Sequence, residues 1–549
     1  MLTGLETGTF VRQGRFGPKR NSVLPRFMYL AWSAIFRDDG VLREDADANA
    51  VACLNQLLAV FTKLDGAHTA ESEVKVINNF ISTEMELATT TLDFDAPLVH
   101  SQQPLEWILD KASKLCRKVL ARENPREIHP KHGSGACANG LSVHKRYAQF
   151  RYIPSIDKLW PYAEFWFASP NHLVDELDKL VLSEVYEPQA KVVLVPKDVR
   201  GPRLISCEPS ETMWIQQGLM QKLYDCIESH RLTRKSVHFT DQRHNQVAAF
   251  DGSIYRECAT LDLSDASDRL RLDVATYLLP PNWAEAICAC RSKSTKLPDG
   301  TVVDLVKHAP MGSALCFPIM ALTIWSVLTA ALPPGSRILV YGDDIVVPTD
   351  CYPLACEVLE RIHLKVNAHK SYAKGFFRES CGKEYYRGID ITPVRLRTMP
   401  TNDMRARAAT IAFANNMALR YGPQDWIIQL VRDWYRDVPE DCFYTRRDEL
   451  VRAKLNLDAM TVSWNSPGAV VLCTILFVGI PSNDHIRTRW SSRYQIREFR
   501  YLRPNAVECK NSIDDWCSLF RALVNPKRGS LGSDALPKRV RYKYGWAPL

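Results

Sequence analysis

Two apolar, β-branched runs, Ile338-Leu339-Val340 and Ile345-Val346-Val347, are separated only by Tyr341-Gly342-Asp343-Asp344. Gly-Asp between strand-like runs predicts a tight hairpin, with both carboxylates projecting from its tip. Desolvation and mutual repulsion oppose ionising two adjacent acids beside such neighbours unless a positive charge offsets them, and a hard divalent cation is the simplest candidate. The hairpin therefore asks for a metal ion.

A second acidic element lies upstream, in Ala259-Thr260-Leu261-Asp262-Leu263-Ser264-Asp265-Ala266-Ser267-Asp268. It reads as a short strand ending near Asp262, followed by a turn and a helix start at the Ser and Asp residues. Two-metal phosphoryl transfer needs carboxylates from separate strands to meet, because one ion activates the attacking oxygen while the other holds the leaving oxygens, about 3.5–4 Å away. Asp262 with Asp343 and Asp344 supplies such a clamp.

These elements fall in the order of the palm motifs of template-directed RNA polymerases. Further strings extend the likeness: VPKDVRGPRLISCEP at 195–209, DQRHNQ at 241–246, LDLSDASD at 261–268, MGSALCFPIM at 311–320 and NAHKSYAKGFFRESCG at 367–382. The chain resembles the replicase subunit of the single-stranded RNA bacteriophages, the levivirus-type RNA-directed RNA polymerases, well over residues 190–400 and far less outside them. The resemblance implies an α+β right-hand polymerase of fingers, palm and thumb with an antiparallel palm sheet. It implies RNA-templated RNA synthesis from ribonucleoside triphosphates by two-metal nucleotidyl transfer with pyrophosphate release. Asp262 and Asp343 are then the principal ligands of two Mg2+ ions, with Asp344 auxiliary and Mn2+ as a substitute. Implied partners are template and nascent RNA, host elongation factors Tu and Ts, and a ribosomal RNA-binding protein, in the cytoplasm of an infected bacterium.

The other motifs have physical readings of their own. Lys197, Arg200 and Arg203 lie where a strand, Val192-Val193-Leu194-Val195, meets a turn at Pro196 and Gly201-Pro202, so three cations can converge on one triphosphate. The plain alternative is a solvated charged face. Met311-Gly312-Ser313-Ala314 precedes an apolar stretch, Leu315 to Leu328, that reads as a buried helix. Glycine there lets backbone approach a ligand closely, whereas a serine at a helix start is more often an N-cap. In the family this loop feels the template and the ribose 2′-hydroxyl, which places Met311 and Gly312 at the template and Ser313 with Asp268 at the sugar. Asn367 and Lys370 belong to a segment from which a lysine can protonate the leaving pyrophosphate; the plainer reading is that Lys370 binds phosphate or sits in solvent. Phe377-Arg378-Glu379-Ser380-Cys381-Gly382 reads as a hairpin after the palm.

Composition is less specific. The chain has 549 residues and is 46% hydrophobic, long enough for several subdomains and too apolar for general disorder. Its net charge is only +8, from 70 basic and 62 acidic groups, so a nucleic-acid channel must arise from local clustering. Sixteen cysteines are scattered without a regular framework and no signal peptide precedes them, which favours reduced thiols. Cys288 and Cys290 lack the second pair a zinc finger needs, and no G-x-x-x-x-G-K-[ST] string is present.

The reading divides the chain into an N-terminal helical region at 1–123 that contributes to fingers and thumb contacts and whose first 25 residues lie irregularly on the surface or against another subdomain, fingers with the basic NTP-binding segment at 124–250, a palm at 251–400, and a helical thumb with the C-terminal region at 401–549. The aromatic stretch Trp160, Tyr162, Phe165, Trp166, Phe167 reads as core. The run from Ala469 to Ile480 is too short to span a bilayer and reads as buried strand, so no membrane segment is expected. The tail, Lys538 to Trp546, mixes cations and aromatics as single-strand binders do. Two rivals stand beside this reading. A reverse transcriptase shares paired aspartates on a hairpin, but is disfavoured by the polar turn Ser264 to Ser267 after the first Asp. A catalytically dead RNA-binding protein would have no reason to keep paired carboxylates in an apolar hairpin.

Overall fold

The computed structural model describes residues 1–9, 26–64, 68–95, 97–133, 135–142, 145–147, 149–176, 185–198, 201–401, 404–421, 488–491, 496–508 and 538–548. Helices and short sheets are interleaved along these residues, and every strand pairing within the sheets is antiparallel except Gln189–Lys191 beside Ser294–Lys296. The protein is thus mixed α/β with antiparallel sheets.

The amino end is a helix rather than the irregular segment its Gly- and Arg-rich surroundings predict. Helix α1 (Leu2–Thr7) buries Leu5 completely against the segment around residues 372–391. The side chain of Glu6 accepts from three consecutive backbone N–H groups, Ala373, Lys374 and Gly375, at 2.6, 2.6 and 3.0 Å. That anchor could not be read from residues 1–25 alone.

Helix α2 (Ala70–Thr89) starts at Thr69, whose side chain accepts from Ser72 N–H, and carries Glu71 and Glu73 in its first turn. Phe80, Thr83, Glu84 and Leu87 recur at helical spacing and form its buried face. Phe80 joins a small core with Val192, Leu204, Leu297 and Leu305. Helix α3 (Leu105–Leu120) buries Leu105, Ile108, Leu109, Ala112, Cys116 and Val119 in the same manner. The helices of the N-terminal region complete cores begun by residues far downstream.

Strands β1 (Gln189–Asp198) and β2 (Gly201–Cys207) form a hairpin whose register slips between Val195 and Asp198. Pro196 lies inside β1 at that irregularity instead of forming a turn, a position that tolerates the missing N–H. The aromatic stretch is core as predicted, with Trp160, Tyr162, Trp166 and Phe167 buried and Tyr162 stacked on Trp166 at 4.0 Å.

The central sheet has the order β3 (Cys258–Leu261), β5 (Asp344–Pro348), β4 (Leu339–Tyr341). Val340, Ile345, Val346 and Val347 are fully buried, and burial of such side chains stabilises by about 1.5–3 kcal/mol each. Helix α4 (Cys316–Ala331) covers this region and is apolar all round, as a helix enclosed on every side must be. Strands β6 (Phe377–Ser380) and β7 (Lys383–Tyr386) form the hairpin expected after the palm; Cys381 and Gly382 both have positive φ, the type I′ pattern.

Toward the carboxyl end a helix spans Met404–Tyr421, and strands Thr488–Ser491, Ile496–Glu508 and Lys538–Pro548 form an antiparallel sheet. The basic-aromatic tail thus lies in a strand, with Lys543 paired across from Arg503. The rest of the predicted helical span at 402–460 and the apolar run from Ala469 to Ile480 lie outside the described residues. Among the described residues no helix is long and apolar enough to cross a membrane.

Candidate active site

The turn between β4 and β5 consists of Gly342 and Asp343, flanked by the paired residues Tyr341 and Asp344. Gly342 has φ +65° and Asp343 does not share the positive φ, the pattern of a type II′ turn with glycine first. A β-carbon on Gly342 would stand 2.2 Å from Phe317 Cε2, so the turn is pressed against the start of α4 and admits no side chain. Leu261 pairs with Ile345, and one further step along that register sets Asp262 opposite Asp344. The fold therefore gathers the three predicted aspartates at one end of the sheet.

Each carboxylate is held differently. Asp262 Oδ2 accepts from Asn367 Nδ2 at 2.9 Å and from Lys370 Nζ at 3.2 Å, while its backbone carbonyl accepts from Asn367 N–H at 2.9 Å. Asp344 Oδ1 accepts from Cys381 N–H at 3.1 Å. Burial pushes Asp344 up to about 6, and the charges of Asp343 and Asp262 push the same way against the Cys381 hydrogen bond. Burial likewise raises Asp343; Asp262 adds to that rise, and Lys370 and Arg203 oppose it.

Glu379, on β6, is a fourth acid here that the sequence reading assigned no role. Burial pushes it up to about 8, with the charges of Asp344, Glu384 and Asp262 adding to the rise. Several carboxylates that each resist ionisation are a site short of positive charge, and their hard oxygen atoms suit Mg2+. Among the described residues no three His, Cys, Asp or Glu side chains are already gathered as an ion cage. Lys370 supplies part of the missing charge through its bond to Asp262.

The DQRHNQ string, recognised without a role, proves to be a brace. Asn245 is buried and donates to the Asp344 carbonyl at 3.0 Å, and Gln246 donates to the Cys381 carbonyl at 3.2 Å. The helix Arg243–Tyr255, which carries both residues, thus links the acidic hairpin to the β6–β7 turn.

The cationic and loop residues are placed less uniformly. Arg203 is exposed on β2, and its charge opposes the rise of Asp343. Lys197 is exposed on β1, and Arg200 lies outside the described residues. Gly312, with φ +129°, presses on protein rather than on a ligand: a β-carbon there would stand 2.2 Å from the Ser206 carbonyl oxygen, and Met311 O accepts from Ser206 N–H at 2.8 Å. The loop's glycine serves its seat on β2. Ser313 is buried and donates to Gln216 Oε1 at 3.0 Å, and Gln216 donates in turn to the Cys290 carbonyl at 2.7 Å. Its hydroxyl is thus engaged within the protein, accepting from Leu315 N–H at 3.3 Å as well. Asp268 does not cap its helical turn, since Asp265 holds the N-cap position of Ala266–Arg269; its carboxylate instead meets Lys307 Nζ at 2.7 Å.

Fold and site together define a mixed α/β protein whose acidic centre is carried on an antiparallel hairpin, fed by cations from neighbouring strands and loops. Residues 174–429 match the family described as RNA replicase, beta-chain. The chain is 38% identical over 214 residues to the RNA-directed RNA polymerase subunit beta of Escherichia virus Qbeta, covering 38% of this chain and 36% of that protein. It is 34% identical over 381 residues to the corresponding subunit of Enterobacteria phage SP, covering 67% of this chain and 64% of that one. The matches thus span from about a third to just under two thirds of these relatives' own lengths. A solved BmCPV RNA-dependent RNA polymerase at elongation state overlays with a TM-score of 0.38 and 10% identity, covering 69% of this chain and 36% of that one.

Proposed function

We propose that this chain is the polymerising subunit of a phage replicase: RNA-templated RNA synthesis, in which a 3′-hydroxyl attacks the α-phosphate of a ribonucleoside triphosphate and pyrophosphate leaves. The observation that carries the reading is the meeting of Asp262, Asp343 and Asp344 from two antiparallel strands, with Asp343 and Asp344 held above the usual carboxylate range. Asp262, Asp343 and Asp344 would hold Mg2+, which when bound offsets charge on the attacking oxygen and the phosphates. In this reading the sheet is the palm of a right hand, the β1–β2 hairpin belongs to the fingers, and the helix after residue 403 opens the thumb.

The chain's own residues act by position and charge. Arg203, with Lys197 and Arg200, grips the triphosphate. Lys370, half exposed and bonded to Asp262, keeps an ammonium beside the acids, where it either binds the phosphates or gives a proton to the leaving group. Asn367 fixes the Asp262 carboxylate, and Asn245 fixes the strand behind Asp344. Template and nascent RNA are the macromolecular partners; host elongation factors Tu and Ts and a ribosomal RNA-binding protein, in the bacterial cytoplasm, follow from the phage resemblance.

The test is primer extension with the purified chain, an RNA template, four ribonucleoside triphosphates and magnesium, with and without added host factors. Template-length RNA supports the reading. Extension with deoxyribonucleotides in preference to ribonucleotides sinks it in favour of a reverse transcriptase, and RNA binding without any extension sinks it in favour of a binding protein.

A further inference from the structure

Lys307 is fully buried, yet it belongs to none of the motifs that carry the resemblance. Its ammonium bridges Asp268 Oδ1 at 2.7 Å and Glu84 Oε1 at 2.8 Å, and lies 3.8 Å from the centre of the Phe80 ring. Glu84 is itself 3% exposed and spends its other oxygen on Val306 N–H at 2.8 Å, so neither its charge nor that of Lys307 faces solvent. Asp268, at 20% exposure, is the open end of this row. Among the described residues, Lys307 is the side chain that hydrogen-bonds its carboxylate.

The backbone around Lys307 is fixed from both sides. Leu272 N–H donates to Val306 O and His308 N–H donates to Leu270 O, while Arg291 donates to the carbonyls of Leu305, Lys307 and His308. The turn bearing Asp268 is also tied to α2 beyond Lys307: Arg269 forms two 2.9 Å bonds with Glu86, and Asn79 donates to Asp265 at 3.2 Å. Asp268 lies close to the acidic centre, since the buried thiol of Cys316 feels both Asp268 and Asp343. A buried ammonium between two carboxylates costs desolvation that an apolar trio would avoid, and here the ammonium bonds both carboxylates and so fixes their relative position.

We infer that Lys307 and Glu84 are positioning residues that lock the Asp268 carboxylate against helix α2, and that this lock sets ribose-over-deoxyribose selection at the nucleotide site. The inference rests on the RNA-synthesis reading and on Asp268 facing the sugar. A site built to bond a hydroxyl rejects the analogue lacking it because its own polar group is left unpaired, and that penalty holds only while the group cannot turn elsewhere. Freed from Lys307, Asp268 can rotate to water, and both sugars are then received more alike.

The experiment is single-nucleotide incorporation of GTP and dGTP opposite template C by wild type, Asp268→Ala, Lys307→Met and Glu84→Gln, each with a thermal melt. The expected result is a ratio of kcat/KM values, GTP over dGTP, reduced at least tenfold in Lys307→Met and less in Glu84→Gln. A merely structural lysine would lower both substrates in proportion, and an unchanged ratio in a folded Lys307→Met protein overturns the inference. If Lys307→Met shows no cooperative melt, Glu84→Gln decides, because it keeps shape and an acceptor for Val306; an unchanged ratio there is equally fatal. Undiminished discrimination in Asp268→Ala overturns the inference while leaving RNA synthesis intact. No incorporation by wild type is a different failure, since it removes the RNA-synthesis reading and the inference with it.

Discussion

Asp343 and Asp344 are neighbours with different holdings, and single substitutions separate them. Asp343→Asn is expected to abolish nucleotide incorporation in magnesium while leaving RNA affinity nearly unchanged, because template binding rests on cations elsewhere. Incorporation near the wild-type rate would remove Asp343 from the chemistry. Asp344 gives a pH test. Its folded-state pKa stands above the unfolded value, at about 6 against 3.8, so the folded state binds more protons between those values. Stability contributed by its neutral form is complete below about pH 4 and is lost as pH rises through about 6. Asp344→Asn keeps the shape and an acceptor for Cys381 N–H without the charge, so metal-free variant protein should melt higher than wild type at pH 8 and alike near pH 4. Magnesium should raise the wild-type melting temperature more than the variant's. A variant that melts lower at both pH values would show that no buried charge was relieved.

The acidic hairpin was legible because strand, turn and strand are contiguous: apolar runs, β-branching and Gly-Asp all point to one local structure. The β6–β7 hairpin, the buried helix α4 and the aromatic core were legible for the same reason. What could not be read is contact between elements. Gly342 looks like an ordinary turn glycine, and only the seat of Phe317 shows that a side chain is excluded on two grounds. Gly342→Ala should therefore lose activity and lower the melting temperature by several degrees, on the order of 1 kcal/mol for the strained φ plus the clash. Gly300 is the control, also at positive φ (+95°) but with nothing within 4 Å of an added β-carbon. Gly300→Ala should cost only the backbone strain. Equal losses in the two variants, by melting and by incorporation, would show that Phe317 yields and the hairpin is not pinned.

Across the whole molecule, the residues that hold the site are far apart in the chain. Glu84, Asp268 and Lys307 meet in one row, and Asn245 reaches Asp344, without any local pattern to announce them; a lone Glu in an amphipathic helix reads as surface until its partner is known. The longest of these ties runs from the first helix to the loop beside Asp262. Glu6 satisfies the N–H groups of Ala373, Lys374 and Gly375, and a β-carbon on Gly375 would stand 2.3 Å from the Leu5 carbonyl oxygen, so helix and loop are in direct backbone contact. Tyr372, next in the chain, exchanges both backbone bonds with Thr260 at 2.8 and 2.9 Å, and Asn367 and Lys370 a few residues earlier hold the Asp262 carboxylate. The amino end thus braces the segment that orients the Asp262 carboxylate. Glu6→Ala should leave those N–H groups unmet and cost about 1–3 kcal/mol of stability. At a temperature where the variant remains folded, kcat should fall with little change in KM for the nucleotide, because the disturbed loop bears Asn367 and Lys370, which bond Asp262. Glu6→Gln, which keeps an acceptor, should recover most of both losses. A variant that melts lower but turns over at the wild-type rate would confine the amino-terminal helix to a structural role.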